Sequence, residues 1–523
     1  MNTFLNELED SLNYTLTENG AIAHKSTNDA GYDLFAFGGA YRNVCDKKIE
    51  DLFSKAYDED PEKALRTLFY LRDCRGGQGE RRFFRVAYRW LCMKDSGIAA
   101  KNLMNIAYFG RWDDVWQATL YTPVMDTALR VIATQLMLDF DCRENGISIC
   151  AKWAPSINCS NETRRLVADR LCYIMGWRHS TYRKMLSKLR GRINVLERLM
   201  SQGRWDEIEF DKIPSRAGMK YKNAFARHEI TKAKYEAFAK DETKKVNADV
   251  LYPYDIVRQV LQDGGVFNYG GRLRHDKDLS ETDRLMFQKY WDNLPDYLNG
   301  AEESMIAVVD TSGSMTSSWG QNVRPIDVAI SLGLYLAERN KGDFANKYIS
   351  FASRPQLIDT KGVDIVDKVE KIYRTNLVDN TNLTAVFDLI LKTAQRSNFE
   401  DMPKRIVVIS DMNIDQGVDD ARDYRGWTYG EAATGIQTPK KLLTTMEKIH
   451  KKFAAAGVEM PKLVYWNVNC LNGKPIVLDH SPDVTCVSGC SPVIFKQIMT
   501  GVTGKDLWLQ TINDERYDRV VVR

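Results

Sequence analysis

Two short apolar runs, each followed by an aspartate, constrain the fold of this chain most strongly. Residues 305–309 (Met-Ile-Ala-Val-Val) precede Asp310, and residues 405–410 (Arg-Ile-Val-Val-Ile-Ser) precede Asp411. Short runs of this kind, rich in β-branched residues, are typical of strands that are buried on both faces. Such strands occur in parallel sheets that are covered by helices. The sequence therefore predicts an α/β domain in which each aspartate follows a buried strand.

The elements after residue 300 alternate between strand and helix patterns. Further strands are predicted at 348–352 and 463–467. Helices are predicted at 325–340, 363–372, 383–393, 440–456 and 491–500. This alternation predicts that residues 301–523 form a doubly wound parallel-sheet domain, with a domain boundary near residues 298–300.

Residues 1–300 have a different pattern, with apolar residues recurring at three- and four-residue spacing. The clearest predicted helices lie at 64–71, 83–91, 127–138 and 164–175. The phrase Gly-Arg-Trp-Asp occurs at 110–113 and again at 203–206, and half of this separation matches the ~40–47-residue period of two-helix repeats. We therefore predict a helical-repeat domain of the HEAT-like kind, able to offer a concave or ring-like surface, and an overall fold class of α plus α/β.

Composition restricts the class of protein. Of the 523 residues, 44% are hydrophobic and 27% are charged, which excludes a mainly disordered chain. The net charge of +3 argues against a polybasic protein. No apolar run reaches the roughly 18–20 residues that span a bilayer, and residues 1–10 lack the pattern of a secretory signal. The sequence predicts a cytoplasmic protein with no membrane partner.

The ten cysteines are scattered and contain no Cys-x-x-Cys pair. In a reducing compartment, they are expected to be small buried hydrophobic residues rather than disulfides. Cys470, His480, Cys486 and Cys490 are an alternative, since these residue types can bind zinc. Their spacing matches no common zinc module, so we favour the buried-thiol interpretation.

The loop after the first buried strand has the pattern Asp-x-Ser-x-Ser, formed by Asp310, Ser312 and Ser314. It offers one carboxylate and two hydroxyls at the end of a parallel strand, where ligands bind in open α/β sheets. Oxygen donors suit a hard cation such as Mg²⁺ or Mn²⁺. Asp411 can add a second carboxylate. Thr381 can add a third hydroxyl, a role for which Thr384 is a rival.

The same loop has two other interpretations. Ser312 and Ser314 can simply cap backbone groups, with no cation bound. A nucleophilic serine would need a nearby base, and none of the six histidines lies close to the loop in sequence. The hydrolase elbow, the P-loop and the His-Glu-x-x-His zinc motif are all absent from the sequence. We therefore predict a metal site with no catalytic residues, in a protein that is not an enzyme.

This constellation resembles the metal-ion-dependent adhesion site (MIDAS) of von Willebrand factor A domains. The resemblance matches the family's Asp-x-Ser-x-Ser to Asp310, Ser312 and Ser314, its threonine to Thr381, and its second aspartate to Asp411. It implies that the bound metal keeps one coordination position open for an acidic side chain of a protein partner.

Positive charge is concentrated in residues 161–250, where 21 basic residues face 12 acidic ones. Aromatic residues such as Trp177, Tyr182, Trp205 and Tyr221 lie among them. Basic side chains can contact phosphates while aromatic rings stack on unpaired bases, so this composition suits structured or single-stranded RNA. The alternative is a set of solvated basic helix faces with no nucleic-acid partner.

The joining of helical repeats to such an A domain resembles the Ro autoantigen family, in which a TROVE domain forms a ring closed by an A domain. The likeness is greater for a related branch with the same two-part layout. It is carried by residues 17–21 (Thr-Glu-Asn-Gly-Ala), 69–81 (Phe-Tyr-Leu-Arg-Asp-Cys-Arg-Gly-Gly-Gln-Gly-Glu-Arg), 151–156 (Ala-Lys-Trp-Ala-Pro-Ser), 182–190, 211–215, 464–467 and 487–491. The resemblance implies a TROVE-like domain at 1–300 and an A domain at 301–523.

Ro proteins bind small noncoding RNAs and single-stranded RNA ends without doing chemistry on them. The resemblance implies a ribonucleoprotein scaffold for this chain, with the alternative of a metal-dependent protein-interaction adaptor that binds no RNA. Candidate RNA-binding residues, chosen on charge and position, are Arg75, Arg81, Arg82, Lys152, Arg164, Arg165, Arg183, Lys184, Lys188, Arg190, Lys220 and Lys222.

Overall fold

Two compact units make up the chain, and each combines two separate stretches of sequence. The helical unit consists of residues 46–251 and 512–523, and the sheet unit consists of residues 1–45 and 252–511. The computed structural model describes residues 13–16, 22–143, 146–193, 195–264, 266–267, 273–274, 279–299, 303–316, 323–351, 354–375, 382–397, 399, 401–411, 445–469 and 483–522. No helix within these ranges is both long and apolar enough to cross a membrane.

The helical unit contains no strand among its described residues. Its α-helices are Asp46–Glu59, Pro61–Arg72, Arg81–Lys94, Ser96–Lys101, Leu103–Phe109, Trp112–Ala118, Met125–Asp141, Cys150–Trp153, Glu162–Met175, His179–Ile193, Leu196–Ser201, Ser215–Phe225 and Glu229–Lys240. Short 3-10 helices lie at Trp205–Glu207, Phe210–Lys212 and Glu515–Tyr517. The four helices predicted most clearly from periodicity are confirmed.

Local chemistry explains where these helices begin. The helix Pro61–Arg72 follows Asp60, whose carboxylate accepts hydrogen bonds from the backbone N–H groups of Glu62 and Lys63, both at 3.1 Å. Proline in the first turn costs no hydrogen bond there, since that N–H would be unpaired in any case. Leu65, Leu68 and other apolar residues of this helix are fully buried.

The two copies of Gly-Arg-Trp-Asp do not form equivalent elements, and the helical repeat they suggested stays a prediction. In the first copy, the carboxylate of Asp114 accepts from the backbone N–H of Arg111 at 3.0 Å and starts the helix Trp112–Ala118. In the second copy, the longer Glu207 side chain pairs with the guanidinium of Arg204, and only a 3-10 turn forms.

The sheet unit contains ten short strands among its described residues. They are β1 (Tyr14–Leu16), β2 (Ile22–His24), β3 (Val266–Phe267), β4 (Leu273–Arg274), β5 (Met305–Asp310), β6 (Lys347–Phe351), β7 (Leu357–Asp359), β8 (Arg405–Ser410), β9 (Lys462–Asn467) and β10 (Val484–Ser488). Its α-helices are Ala30–Gly38, Pro253–Gly264, Glu281–Asp292, Pro325–Arg339, Ile365–Thr375, Leu383–Arg396, Thr445–Ala455, Val493–Ile498 and Gly504–Ile512, the last ending one residue inside the helical unit.

Six of these strands form one mixed sheet in the order β10-β9-β8-β5-β6-β7. The pairs from β10 to β6 are parallel, and β7 pairs with β6 in the antiparallel sense. The predicted class, helical segments plus an α/β sheet, is confirmed at this level. The antiparallel edge strand was not predicted, because residues 357–359 are largely exposed and form no apolar run.

The helix Pro325–Arg339 packs closely on the centre of this sheet. At Gly333, an added Cβ would lie only 2.4 Å from a methyl carbon of Val309. Glycine is needed there, because any side chain would push the helix away from β5. This contact fixes the position of β5, the strand that ends at Asp310, relative to the helix.

The N-terminal residues belong to the sheet unit, although the sequence assigned them to the helical domain. The hydroxyl of Tyr32 accepts from the backbone N–H of Cys486 at 3.0 Å, across 454 positions of sequence. The backbone N–H of Gly39 donates to Ser488 at 3.0 Å. The helix Ala30–Gly38 therefore covers β10, an edge strand that would otherwise be open to pairing. The division at residue 300 does not follow these compact units, and as a division between family domains it stays a prediction.

Candidate functional site

The two aspartates that follow buried strands lie at the same edge of the sheet. β5 and β8 are parallel neighbours, with Val309 opposite Ile409, so Asp310 and Asp411 both lie at or just beyond the carboxyl ends of adjacent strands. The chain leaves β5 toward β6 on one side, whereas β8 lies on the other side. A reversal of strand order of this kind opens the crevice in which α/β sheets bind ligands.

Hydrogen bonds fix the Asp310 carboxylate in this crevice. One oxygen accepts from the backbone N–H of Ser312 at 2.8 Å, and the other accepts from the hydroxyl of Ser410. The hydroxyl oxygens of Ser312 and Ser314 lie 3.1 Å apart. Asp310 and Asp411 are 0% and 3% exposed, respectively, whereas Ser314 is partly exposed. The site is therefore a pair of buried carboxylates beside the hydroxyl groups of Ser312 and Ser314, which lie on one loop.

The electrostatics of the pair favour a cation. Burial raises the pKa of Asp310 to about 7, and the charge of Asp411 acts in the same direction. Burial and these two carboxylates also raise the pKa of Tyr465 far above its usual value. The Tyr465 hydroxyl is buried and has no hydrogen-bond partner among the described residues. Two buried carboxylates with hard oxygen neighbours are a donor set that fits Mg²⁺ or Mn²⁺.

Part of the predicted ligand set lies outside the described residues. Thr381 is in this category, and so are Cys470 and His480 of the zinc alternative. Thr384 lies in the first turn of the helix Leu383–Arg396, which is capped by the side chain of Asn382. Within the described residues, no three His, Cys, Asp or Glu side chains form a metal-binding group. The choice between the two threonines, and the cation itself, stay predictions.

Four of the twelve candidate RNA-binding residues lie around one concavity of the helical unit. It has a volume of about 1060 Å³, and its walls are the helices His179–Ile193 and Leu196–Ser201 with residues 156–158. Its basic side chains are Lys152, Arg183, Lys184, Arg190 and Arg198. Glu197 is the acidic residue of the lining. Arg198 was not among the candidates, although its place in the basic segment could have suggested it.

Arg190 acts as part of the wall of this concavity. Its guanidinium donates to the carbonyls of Ala151 and Ala154 at 2.8 and 3.0 Å, and to the hydroxyl of Ser156 at 2.9 Å. Burial lowers its pKa below the usual arginine value. Lys152, Arg183 and Lys184 are exposed, and their charges face solvent.

The other eight candidates do not line this concavity. Two of them have polar partners: Arg75 donates to the carbonyl of Tyr108 at 3.1 Å, and Arg82 pairs with Asp46. Two have cations beside aromatic rings: Lys188 lies 4.4 Å from the ring centroid of Phe140, and Lys220 lies 4.8 Å from that of Tyr221. Arg164 and Arg165 lie on the helix Glu162–Met175. Lys222 is only 7% exposed, so little of its side chain is accessible to an RNA. Arg81 is partly buried at the start of its helix.

Comparison with known protein families assigns the chain to a family. Residues 17–118 and 112–301 match the family described as domain of unknown function DUF2828. These matches together cover more than half of the chain, so it belongs to the DUF2828 family. Residues 304–518 match a second family, domain of unknown function DUF7788. Neither description names an activity, so the TROVE and von Willebrand A assignments stay predictions.

Two individual proteins align with most of the chain. The uncharacterised protein L728 of Acanthamoeba polyphaga mimivirus is 29% identical over 532 aligned positions, which cover 93% of this chain and 85% of that protein. The crystal structure of the Deinococcus radiodurans Ro protein (RSR) aligns with a TM-score of 0.48 and 13% identity, covering 91% of this chain and 100% of that one.

Proposed function

We propose that this protein is an RNA-binding scaffold, in which the basic concavity of the helical unit binds small noncoding or single-stranded RNA. The observation that carries the proposal is the lining of this concavity, where five basic residues accompany one acidic residue. The sheet unit adds a cation site at Asp310 and Asp411, for Mg²⁺ or Mn²⁺. The proposal assigns no chemical step to either unit.

The lining suits a strand whose bases are unpaired. Lys152, Arg183 and Lys184 present exposed charges that can neutralise phosphates and release their counterions. Ser156, Asn158 and other uncharged polar residues of the lining can exchange hydrogen bonds with sugar hydroxyls and base edges, which single strands leave accessible. The volume of about 1060 Å³ lies at the upper end of the range for small-molecule pockets, so there is room for more than one nucleotide.

A double variant tests this assignment. Arg183→Gln with Lys184→Gln removes two exposed charges from the concavity, and we expect the Kd for a single-stranded 20-nucleotide RNA to rise roughly tenfold at low salt. The slope of log K against log salt should become less steep by about 1.4, since each phosphate contact on a single strand contributes about 0.7. Fluorescence anisotropy across a salt series measures both quantities.

The matched control is Arg164→Gln with Lys220→Gln, which removes the same charge from exposed residues outside the concavity. This control should change the Kd less than threefold, because it lowers only the overall positive potential. Equal losses in the two double variants would refute a specific role for the concavity. An unmeasurable affinity of the unmodified protein for RNA would refute the proposed function itself.

Metal-dependent capture of a protein is a second candidate function, favoured by the buried pair Asp310 and Asp411. A cation on this pair could accept an acidic side chain of a partner as a further ligand. The two candidates differ in their sensitivity to chelators, because the concavity and the carboxylate pair belong to different units. An RNA-binding scaffold retains RNA in EDTA, whereas a metal-bridged adaptor releases its partner.

We expect the Kd for RNA to change by the same factor on addition of Mg²⁺ in the unmodified protein and in Asp310→Asn. Mg²⁺ competes for phosphates as a counterion in both, and this competition does not involve Asp310. Anisotropy at constant ionic strength, with EDTA or Mg²⁺, makes the comparison. A Mg²⁺ effect on RNA binding that disappears in the variant would contradict the independence of the two sites.

A further inference from the structure

A cluster of arginines lies in the helical unit around the start of the helix Arg81–Lys94. Four arginines and two aspartates form it: Arg72, Arg81, Arg85, Arg111, Asp113 and Asp114. The cluster therefore has more guanidinium groups than carboxylates. We call it the Arg81 cluster.

Asp114 is shared by two of the guanidiniums. It is fully buried, and its carboxylate accepts from Nε of Arg72 at 2.9 Å and from Nε of Arg85 at 2.8 Å. The neighbouring Gly110 makes room for this arrangement, because an added Cβ would lie 2.7 Å from Nε of Arg72. Burial alone would raise the pKa of Asp114, but the charges of Arg72 and Arg85, together with their hydrogen bonds, hold it below its usual value.

Asp113 accepts hydrogen bonds mainly from Arg111. The guanidinium of Arg111 reaches both carboxylate oxygens of Asp113, at 2.9 and 2.6 Å, and the side-chain amide of Gln117 donates to it at 3.1 Å. Arg85 approaches the same carboxylate at 3.4 Å. Arg72, Arg85 and Arg111 therefore account for the hydrogen bonds from arginine side chains to the two carboxylates of the cluster.

Arg81 is the fourth arginine, and its side chain makes no hydrogen bond or ion pair with the residues that the structure describes. Its Nε atom is shielded from solvent and has no hydrogen-bond partner in the described part of the chain. Burial, followed by the charge of Arg111, lowers the pKa of Arg81 to about 10, and the charge of Asp114 opposes this shift only in part. A partly buried cation beside other cations is unfavourable unless an anion compensates it. The positive end of the helix dipole adds to the potential at this point.

A line of cations connects the Arg81 cluster to the concavity. The guanidinium of Arg111 lies 4.0 Å from the ring centroid of Trp153, and the ammonium of Lys152 lies 5.7 Å from the same centroid. Lys152 is also part of the lining of the concavity. A strand in the concavity therefore has a basic and aromatic path toward Arg81.

We propose that the Arg81 cluster binds a terminal phosphate monoester of an RNA whose strand lies in the concavity, an inference that rests on the proposed function. A terminal monoester carries a charge of about −1.5 to −2 at pH 7, whereas an internal diester carries −1. The cluster has two more guanidinium groups than carboxylates, and this excess positive charge matches the charge of the terminal phosphate. The arginine fork can also donate two parallel hydrogen bonds to a phosphate.

Three 12-nucleotide RNAs of one sequence test the inference: one with a 5′-phosphate, one with a 3′-phosphate, and one with hydroxyls at both ends. With the full chain, one phosphorylated RNA should bind roughly tenfold more tightly than the hydroxyl-ended RNA. The end that carries the preference identifies the orientation of the strand. Equal binding of all three RNAs would overturn the inference and leave the proposed function standing, whereas no binding of any RNA would refute both.

Arg81→Gln should abolish the preference while changing the Kd of the hydroxyl-ended RNA less than threefold. Arg82→Gln is the matched control, because it removes the same charge from the same helical turn but from a side chain that pairs with Asp46. It should keep the preference. A preference that survives Arg81→Gln would overturn the assignment to Arg81.

Thermal unfolding separates binding from a structural role. Because the Arg81 side chain has no partner among the described residues, Arg81→Gln should leave the melting temperature unchanged or raise it slightly. Arg81→Lys gives a second variant that keeps the charge but not the fork, and it should retain only part of the preference. A clear fall in melting temperature in both variants, with an unchanged preference, would show a structural role instead.

Discussion

Asp310→Asn is expected to abolish Mg²⁺ binding and, without divalent cations, to raise the melting temperature of the sheet unit at neutral pH. The substitution removes one of two buried carboxylates and preserves the shape of the side chain. Since burial and Asp411 raise the pKa of Asp310 to about 7, ionisation of this group costs the folded state on the order of 2–4 kcal/mol. Asparagine removes that cost together with the cation ligand.

The pH dependence has a definite sign. The pKa of Asp310 is about 7 in the folded chain and near 3.8 in the unfolded chain, so the folded state binds the extra proton between these values. Stability that this group contributes is therefore complete below about pH 4 and is lost as the pH rises through 7. Mg²⁺ should reverse the loss in the unmodified protein and have no effect in Asp310→Asn.

Differential scanning fluorimetry at pH 5 and pH 8, with EDTA or Mg²⁺, measures these shifts, and calorimetric titration of the full chain measures cation binding. Asp343→Asn is the control, because Asp343 is an exposed aspartate of the same unit. It should behave like the unmodified protein. Undiminished Mg²⁺ binding by Asp310→Asn would place the cation elsewhere.

Tyr517→Ala is expected to destabilise the helical unit by about 3–5 kcal/mol, the usual cost of removing a buried aromatic ring. Tyr517 is 2% exposed, and its ring stacks on Phe109 with 5.4 Å between centroids. It also meets the edge of the Tyr70 ring at 6.3 Å, and its hydroxyl donates to the buried Asp73 at 3.3 Å. Truncation leaves a cavity in this core and removes one donor from a buried carboxylate.

A loss of this size should lower the melting transition of the helical unit by roughly 10 °C, at about 2–4 °C per kcal/mol for a unit of some 200 residues. Hydrogen exchange of residues in the helices Pro61–Arg72 and Leu103–Phe109 assigns the transition to this unit. Tyr173→Ala is the control, because Tyr173 is 77% exposed and should change stability by less than about 0.5 kcal/mol. Equal melting of both variants would show that residues 515–517 do not complete this core.

Elements with a strong local pattern could be predicted from the sequence. The run predicted at 405–410 coincides with β8, and the helix predicted at 325–340 begins at Pro325 and ends at Arg339. The spacing of Asp310, Ser312 and Ser314 was enough to place oxygen donors at a strand end, because the carboxyl ends of parallel strands meet at one edge. The helix Gly504–Ile512 was missed, since no strong periodicity distinguishes it from the preceding loop.

Properties that depend on distant partners could not be predicted. Positive charge in residues 161–250 did not reveal that Lys222 is buried or that Arg190 is held by three hydrogen bonds. Arg81 and Arg82 are adjacent arginines that the sequence cannot distinguish. In the structure, Arg82 pairs with Asp46, whereas the Nε atom of Arg81 has no partner among the described residues. Local periodicity indicates which residues are buried, but it does not identify the residues they contact.

The order in which the chain is synthesised has a consequence for the helical unit. Residues 46–251 leave the ribosome before residues 252–511, and residues 512–522, which supply Tyr517 to the core of the helical unit, follow only after both. At ~5–20 residues per second, translation of that intervening stretch lasts roughly 13–52 s. Throughout this delay Phe109 and Tyr70 lack the ring of Tyr517, so we expect the helical unit to reach its full stability only after residues 512–522 have been synthesised.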